Sequence, residues 1–163
     1  MIWRLPAADM DIVINASPLI LLGKIGRLHL LNELFSEVYI PSAVIQEIHA
    51  DGKEILDLSL VKHNCVDVSN RVAVRGLLGR LHIGEAEVMI GAIEQGIPNV
   101  VLDDGAARNK AKQLGLTVTG TLGVLLRAYK NGLIDDISSE IAGLKNAGMY
   151  ISDEIVAKII QAL

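Results

Sequence analysis

Short, almost wholly apolar runs set between helical patterns are the feature that most limits what this chain can fold into. Ile12-Val13-Ile14, Val38-Tyr39-Ile40 and Val100-Val101-Leu102 show no alternation of apolar and polar residues. A strand with no polar face is covered on both sides, which is the signature of a parallel sheet with helices above and below. The expected strands are Asp11 to Asn15, Val38 to Ile40, Cys65 to Val68, Pro98 to Leu102 and Leu116 to Thr119. Between them, apolar residues recur at near-helical spacing through Leu19, Leu22, Ile25, Leu28 and Leu31, interrupted at Gly26. Ser17-Pro18 reads as a Ser-capped helix start with Pro in the first turn. Further helices are expected from Ser42 to His49, Asp51 to Ser59, Arg71 to Leu78 and Glu85 to Ile93, the last closing at Gly96. Four more follow: Ala106 to Leu114, stopped by Gly115; one from about Thr121 to Gly132; Asp135 to Asn146; and Ser152 to Leu163. With 163 residues and no repeat, linker or low-complexity tract, one doubly wound α/β domain over 1–163 is the economical reading.

Composition narrows the classes. Half of the residues are hydrophobic (51%), which supplies a core without staples, although only 3% are aromatic. The single cysteine, Cys65, excludes an internal disulfide and fits a reducing, cytoplasmic setting. No stretch approaches the roughly 20 apolar residues that span a bilayer, and no secretory signal is expected at the start. A net charge of −4 argues against a broad basic surface for nucleic acid, yet an acidic metal site lowers net charge without removing local basic patches.

In open parallel sheets, ligands bind beyond the carboxyl ends of the strands. The polar residues expected there are Asn15 and Ser17 after the first strand and Glu47 on the helix after the second. Glu85 and Glu87 open the central helix, Asp103 and Asp104 follow Leu102, and Thr119 and Thr121 flank the last strand. Acids gathered at one edge repel one another unless a cation neutralises them. Hard oxygen donors suit Mg²⁺ or Mn²⁺, the ions that phosphodiester hydrolysis uses. The plainer alternative stays open, because helix dipoles favour acids in a first turn by about 0.3–1 kcal/mol whatever the function. Glu47, between Ile45 and Ile48, is less easily explained that way. The four histidines lack metal-ligand spacing, and HIGEAE is not HExxH. Gly120 to Gly123 lacks a full phosphate-loop pattern, and capping by Thr accounts for it. Arg108, Lys110 and Lys112 share one helix, as a solvated face or as phosphate contacts.

Four segments in order, IVINASPLILLGKIGRLHLL, EVYIPSAVIQEI, LHIGEAEVMIGAIEQG and VVLDDGAARNKAKQLGLTVTGTLGVLL, resemble the PIN-domain family, in a VapC-like prokaryotic subgroup. They cover about three quarters of the chain, and the tail KNAGMYISDEIVAKII is similar to that subgroup's ending. The resemblance implies a three-layer α/β/α sandwich around a parallel sheet of four to five strands. It implies a Mg²⁺- or Mn²⁺-dependent ribonuclease, toxin-like, paired with a small antitoxin and forming a homodimer. Carried over by position, Glu47, Glu85 and Asp104 hold the metal, with Asp103 and Asn15 completing its shell. Ser17 and Glu87 support the site, and Arg108 and Lys112 meet RNA. One departure stands out: where such nucleases usually carry an aspartate after the first strand, this chain has Asn15. Asn offers a carbonyl oxygen but no charge, so a weakened module that binds RNA or a protein partner is the alternative implied.

Overall fold

The computed structural model describes residues 9–50 and 56–163. Five strands, β1 (Ile12–Ile14), β2 (Val38–Pro41), β3 (Asn64–Val66), β4 (Asn99–Val101) and β5 (Thr117–Thr119), form one sheet in the order β3-β2-β1-β4-β5. Every pairing is parallel. The apolar runs occupy the middle of the sheet, where Ile12, Val13 and Ile14 are buried, as the absence of alternation requires. The edge strands β3 and β5 are more polar (Asn64, Cys65, Thr117 and Thr119), because an edge needs less cover.

Helices α1 (Ala16–Lys24) and α2 (Leu30–Leu34) connect β1 to β2; α3 (Ser42–Ile48) leads toward β3. Helices α4 (Arg71–Leu77) and α5 (Ile83–Gln95) return to β4, and α6 (Gly105–Gln113) leads to β5. Helices α7 (Thr121–Lys130), α8 (Ile137–Asn146) and α9 (Asp153–Ala162) complete the described chain. Right-handed crossovers place α1 and α2 on one face of the sheet and α4 to α6 on the other, giving a three-layer α/β/α sandwich. The contacts agree: α7 packs on α1 and α2, whereas α5 lies across β1, β2 and β4.

Three expectations need correction or limits. The long helical pattern after β1 is two helices, because Gly26 adopts φ 71 and turns the chain between them. Ser17 is not the cap of α1: the helix begins at Ala16, and its N-cap is Asn15. The helix expected over Asp51 to Ser59 falls partly outside the described residues; within them, Leu58–Leu60 is a 3-10 turn that starts at Asp57.

The sheet order reverses between β1 and β4, which are neighbours although far apart in sequence. Their carboxyl ends meet where the Asn15 amide donates to the Val101 carbonyl at 3.1 Å. This is the topological switch point, the place where such sheets leave a crevice. Helix α8 is tied back to the body of the protein by Arg27, whose Nε and Nη2 donate to Glu140 Oε1 at 3.0 and 2.5 Å. Glu140 lies in the first turn of α8, so that pairing holds the start of the helix.

Candidate active site at the sheet switch point

A cleft of about 370 Å³ opens at the switch point. Asn15, Ser17, Glu85, Asp103 and Asp104 line it together with residues 147–150, the connection between α8 and α9. Each polar residue arrives there because a strand has just ended or a helix is just beginning.

Asn15 follows β1 and is buried, and its side chain makes no capping bond to α1. Its Oδ1 meets no hydrogen-bond donor among the described residues. A buried carbonyl oxygen without a partner carries an unmet desolvation cost of about 1–3 kcal/mol, so it marks a place where a donor or cation belongs. The neighbour across from it is Gly84. A Cβ added to Gly84 would stand 3.1 Å from Glu47 Oε2 and 3.4 Å from Asn15 Oδ1, so the bare backbone of α5 is what lets these two oxygens approach. Glu47 thus comes in from α3 behind Gly84 rather than from the cleft wall.

Glu85 is buried at the first turn of α5, with Oε2 accepting the His82 amide at 3.0 Å. Capping and site membership, rival explanations on sequence grounds, coexist in this one side chain. Burial pushes the Glu85 carboxyl above its ordinary value, and the charges of Asp104 and Glu47 push the same way, against the opposing pull of the His82 amide and ring. Asp104 and Glu47 therefore both stand near enough to Glu85 for their charge to act on its carboxyl.

The two consecutive aspartates divide their labour. Asp104 is the N-cap of α6, with Oδ2 accepting the Ala107 amide at 3.0 Å. Asp103 faces the other way and ties helices together. Its Oδ1 accepts the Thr121 amide at 2.8 Å, and its Oδ2 accepts the Thr121 hydroxyl at 2.6 Å and the Ser17 hydroxyl at 3.2 Å. The capping of α7 therefore comes from Asp103, across the sheet end, and not from Thr121 as the local sequence suggested. Ser17 is likewise a prop for Asp103.

Glu87 lies elsewhere. Two residues on from Glu85, it leaves the helix on a different side. Its buried carboxylate accepts the Ala43 amide at the start of α3 (3.0 Å) and Arg71 Nη1 at 2.8 Å. It clamps α3 and α4 to α5 rather than supporting Glu85. Arg108 is half-buried, and its Nη1 donates to the Leu102 carbonyl at 2.9 Å, beside Gly120 and Asp103. Lys112, one turn further along α6, is exposed and does not line the cleft. The segment 147–150 was missed by the sequence reading; its only signal was an aromatic, Tyr150, following Gly148 and Met149.

Among the described residues no three acidic, histidine or cysteine side chains converge into a ready-made metal cage. The donors present nevertheless suit a hard divalent cation that keeps most of its waters. Mg²⁺ commonly takes only one or two carboxylates and draws its other ligands from water and phosphate. The unpartnered Asn15 Oδ1 and the repulsion that Asp104 and Glu47 exert on Glu85 are what such an ion would relieve.

No curated protein is similar enough in sequence to match this chain. A family model for the PIN domain matches residues 11–163, from the residue before β1 to the end of the chain. With the whole parallel sheet and every acid of the switch-point cleft inside that match, the chain belongs to the PIN-domain family.

Proposed function

We propose that this protein is a Mg²⁺- or Mn²⁺-dependent endoribonuclease whose active centre is the switch-point cleft. The observation that carries the reading is the buried, unpartnered Asn15 Oδ1 at a cleft where the charges of Asp104 and Glu47 act on the buried Glu85 carboxyl. Membership of the PIN family gives nuclease chemistry as the general expectation. When bound, a divalent cation would offset phosphate charge and activate water for hydrolysis.

The chain's own residues supply the rest. Glu85 and Asp104 present carboxylate oxygens to the cleft, and Glu47 and Asn15 add theirs around Gly84. Asp104 keeps one oxygen on the Ala107 amide, so the other is held at a fixed angle by the start of α6. Asp103 and Ser17 fix where α1 and α7 begin relative to the cleft, which makes them positioning residues. Arg108, with Lys112 beyond it, lies on α6 where an RNA backbone leaving the cleft would meet positive charge.

The same reading makes the protein the toxin of a toxin–antitoxin pair acting in the cytoplasm, with a small antitoxin covering the cleft and a homodimer as the working unit. A second reading has a specific support: Asn15 carries no charge, and both oxygens of Asp103 are already taken by Thr121 and Ser17. On that reading the cleft binds RNA or a partner and hydrolyses poorly, and Asn15→Asp raises cleavage.

Calorimetric titration of Mn²⁺ into the wild type and into Asp104→Asn tests the proposal. Asn is as good an N-cap as Asp, so the variant stays folded. The expected result is saturable binding in the wild type, weakened in the variant. Removing a ligand that stabilises transition-state charge should also lower RNA cleavage by at least about 100-fold. Absence of Mn²⁺ binding at millimolar concentration would overturn it.

A further inference from the structure

Aromatic side chains are scarce here, and all but one of the described ones are spent on the core. Phe35 is buried beneath the Arg127 guanidinium, and Tyr39 and Tyr129 pack against the core. Tyr150 is the exception, 89% exposed and on the wall of the acidic cleft. An aromatic left in water forgoes the burial that makes such residues useful in folding, so its position calls for an explanation outside folding.

The segment that carries Tyr150 is held at both ends. On its amino side, Gly148 adopts φ 104, and the Gly148 and Met149 amides donate to the Lys145 and Leu144 carbonyls at 3.1 and 3.0 Å, closing α8. On its carboxyl side, Ile151 is buried and Ser152 caps α9 by accepting the Ile155 amide at 3.2 Å. An ion pair between Lys145 and Asp153 (3.4 Å) spans the two helix ends. The backbone at Tyr150 is therefore anchored while its ring stays in solvent, beside a cleft floored by Leu21 and Met149.

The geometry points to Tyr150 as a stacking platform for one unpaired nucleobase, a binding residue apart from the acids of the same cleft. This rests on the nuclease reading of the same cleft and adds to it a residue that holds the base. The acids of the cleft would handle the phosphate through a bound cation, and the aromatic ring that lines the same cleft takes the base. Aromatic rings suit any base, because every base has a π-face. A volume of about 370 Å³ is at the small end of the roughly 300–1,000 Å³ of single-ligand pockets, enough for one nucleotide.

Fluorescence of a single-stranded oligoribonucleotide carrying one 2-aminopurine tests this, with Ca²⁺ as the divalent ion so that binding is read apart from hydrolysis. Wild type, Tyr150→Phe and Tyr150→Trp should quench the probe as the base stacks. Tyr150→Ala should lose the quench and bind the single strand about ten-fold more weakly, with weak binding of a duplex of the same sequence unchanged. Because Tyr150 is exposed, the alanine variant keeps its fold. Equal quenching and affinity in wild type and Tyr150→Ala, or no single-strand binding by the wild type, would overturn the inference. If stacking is seen but Mn²⁺ supports no cleavage, the base platform stands and the hydrolytic reading falls.

Discussion

Thr121 gives both of its polar hydrogens to Asp103, the amide at 2.8 Å and the hydroxyl at 2.6 Å, although 18 residues separate them. Thr121 is fully buried, so neither bond competes with water. Replacing it with the near-isosteric Val removes one charge-assisted bond and leaves an Asp103 oxygen with Ser17 alone. Thr121→Val is expected to cost about 2 kcal/mol in urea unfolding, and Thr121→Ser much less. Equal stability of the Val variant and wild type would show that the bond contributes nothing net.

The raised Glu85 carboxyl has a pH consequence. A carboxyl that binds its proton more tightly in the folded than in the unfolded state makes the folded protein lose stability as pH rises. The window opens near the ordinary value of 4.5 and closes above the raised folded value. Glu85→Gln keeps an oxygen for the His82 amide and removes the charge. In metal-free buffer at pH 7, the Gln variant should therefore melt at a higher temperature than wild type. Below pH 4.5 the difference should vanish, and a difference that persists there would mean the gain is not electrostatic.

Glu87 and Glu85 sit two residues apart and should respond in opposite ways. Glu87→Ala strands the Ala43 amide and releases Arg71, so a destabilisation of about 2–3 kcal/mol is expected. Mn²⁺ affinity of the folded fraction should stay as in wild type, since the carboxylate faces α3 and α4. A large loss of affinity with little loss of stability would place Glu87 in the cleft after all.

Gly84→Ala probes the approach of Glu47 to Asn15. A helical Ala gains up to about 1 kcal/mol over Gly from backbone propensity. Here its Cβ would crowd Glu47 Oε2 at 3.1 Å and press on Asn15 Oδ1. The expected outcome is stability within about 1 kcal/mol of wild type together with Mn²⁺ affinity about ten-fold weaker. Unchanged affinity would detach Gly84 and its two neighbours from the metal site.

What the sequence disclosed and what it hid follow from the range of the forces involved. Unalternating runs such as Ile12-Val13-Ile14 announce a strand covered on both faces. Gly96, Gly115 and Gly132 stop helices in the left-handed region, at φ 67, 83 and 72, and both signals are local. The strand-end rule then gathers Asn15, Glu85 and Asp104 without knowledge of the contacts. Direction was hidden. Nothing near Glu87 says that it reaches Ala43, 44 residues away, and nothing near Asp103 says that it caps a helix 18 residues later. Ser17 reads locally as a cap, yet it is committed to a partner 86 residues distant. Tyr150 was overlooked because one aromatic in a connection has no periodicity to detect.

The neighbouring placement of β1 and β4 also makes the site depend on a long-range closure of the chain. Asn15 is separated from its companions Asp103 and Asp104 by nearly ninety residues, and from the wall at 147–150 by still more. The cleft exists only when β4 lies beside β1, a pairing of large sequence separation whose loop-closure entropy must be met before the acids can gather. For a protein read as an RNA-cleaving enzyme, the residues that would hold the metal stand apart in any partly folded state that lacks the β1–β4 pairing.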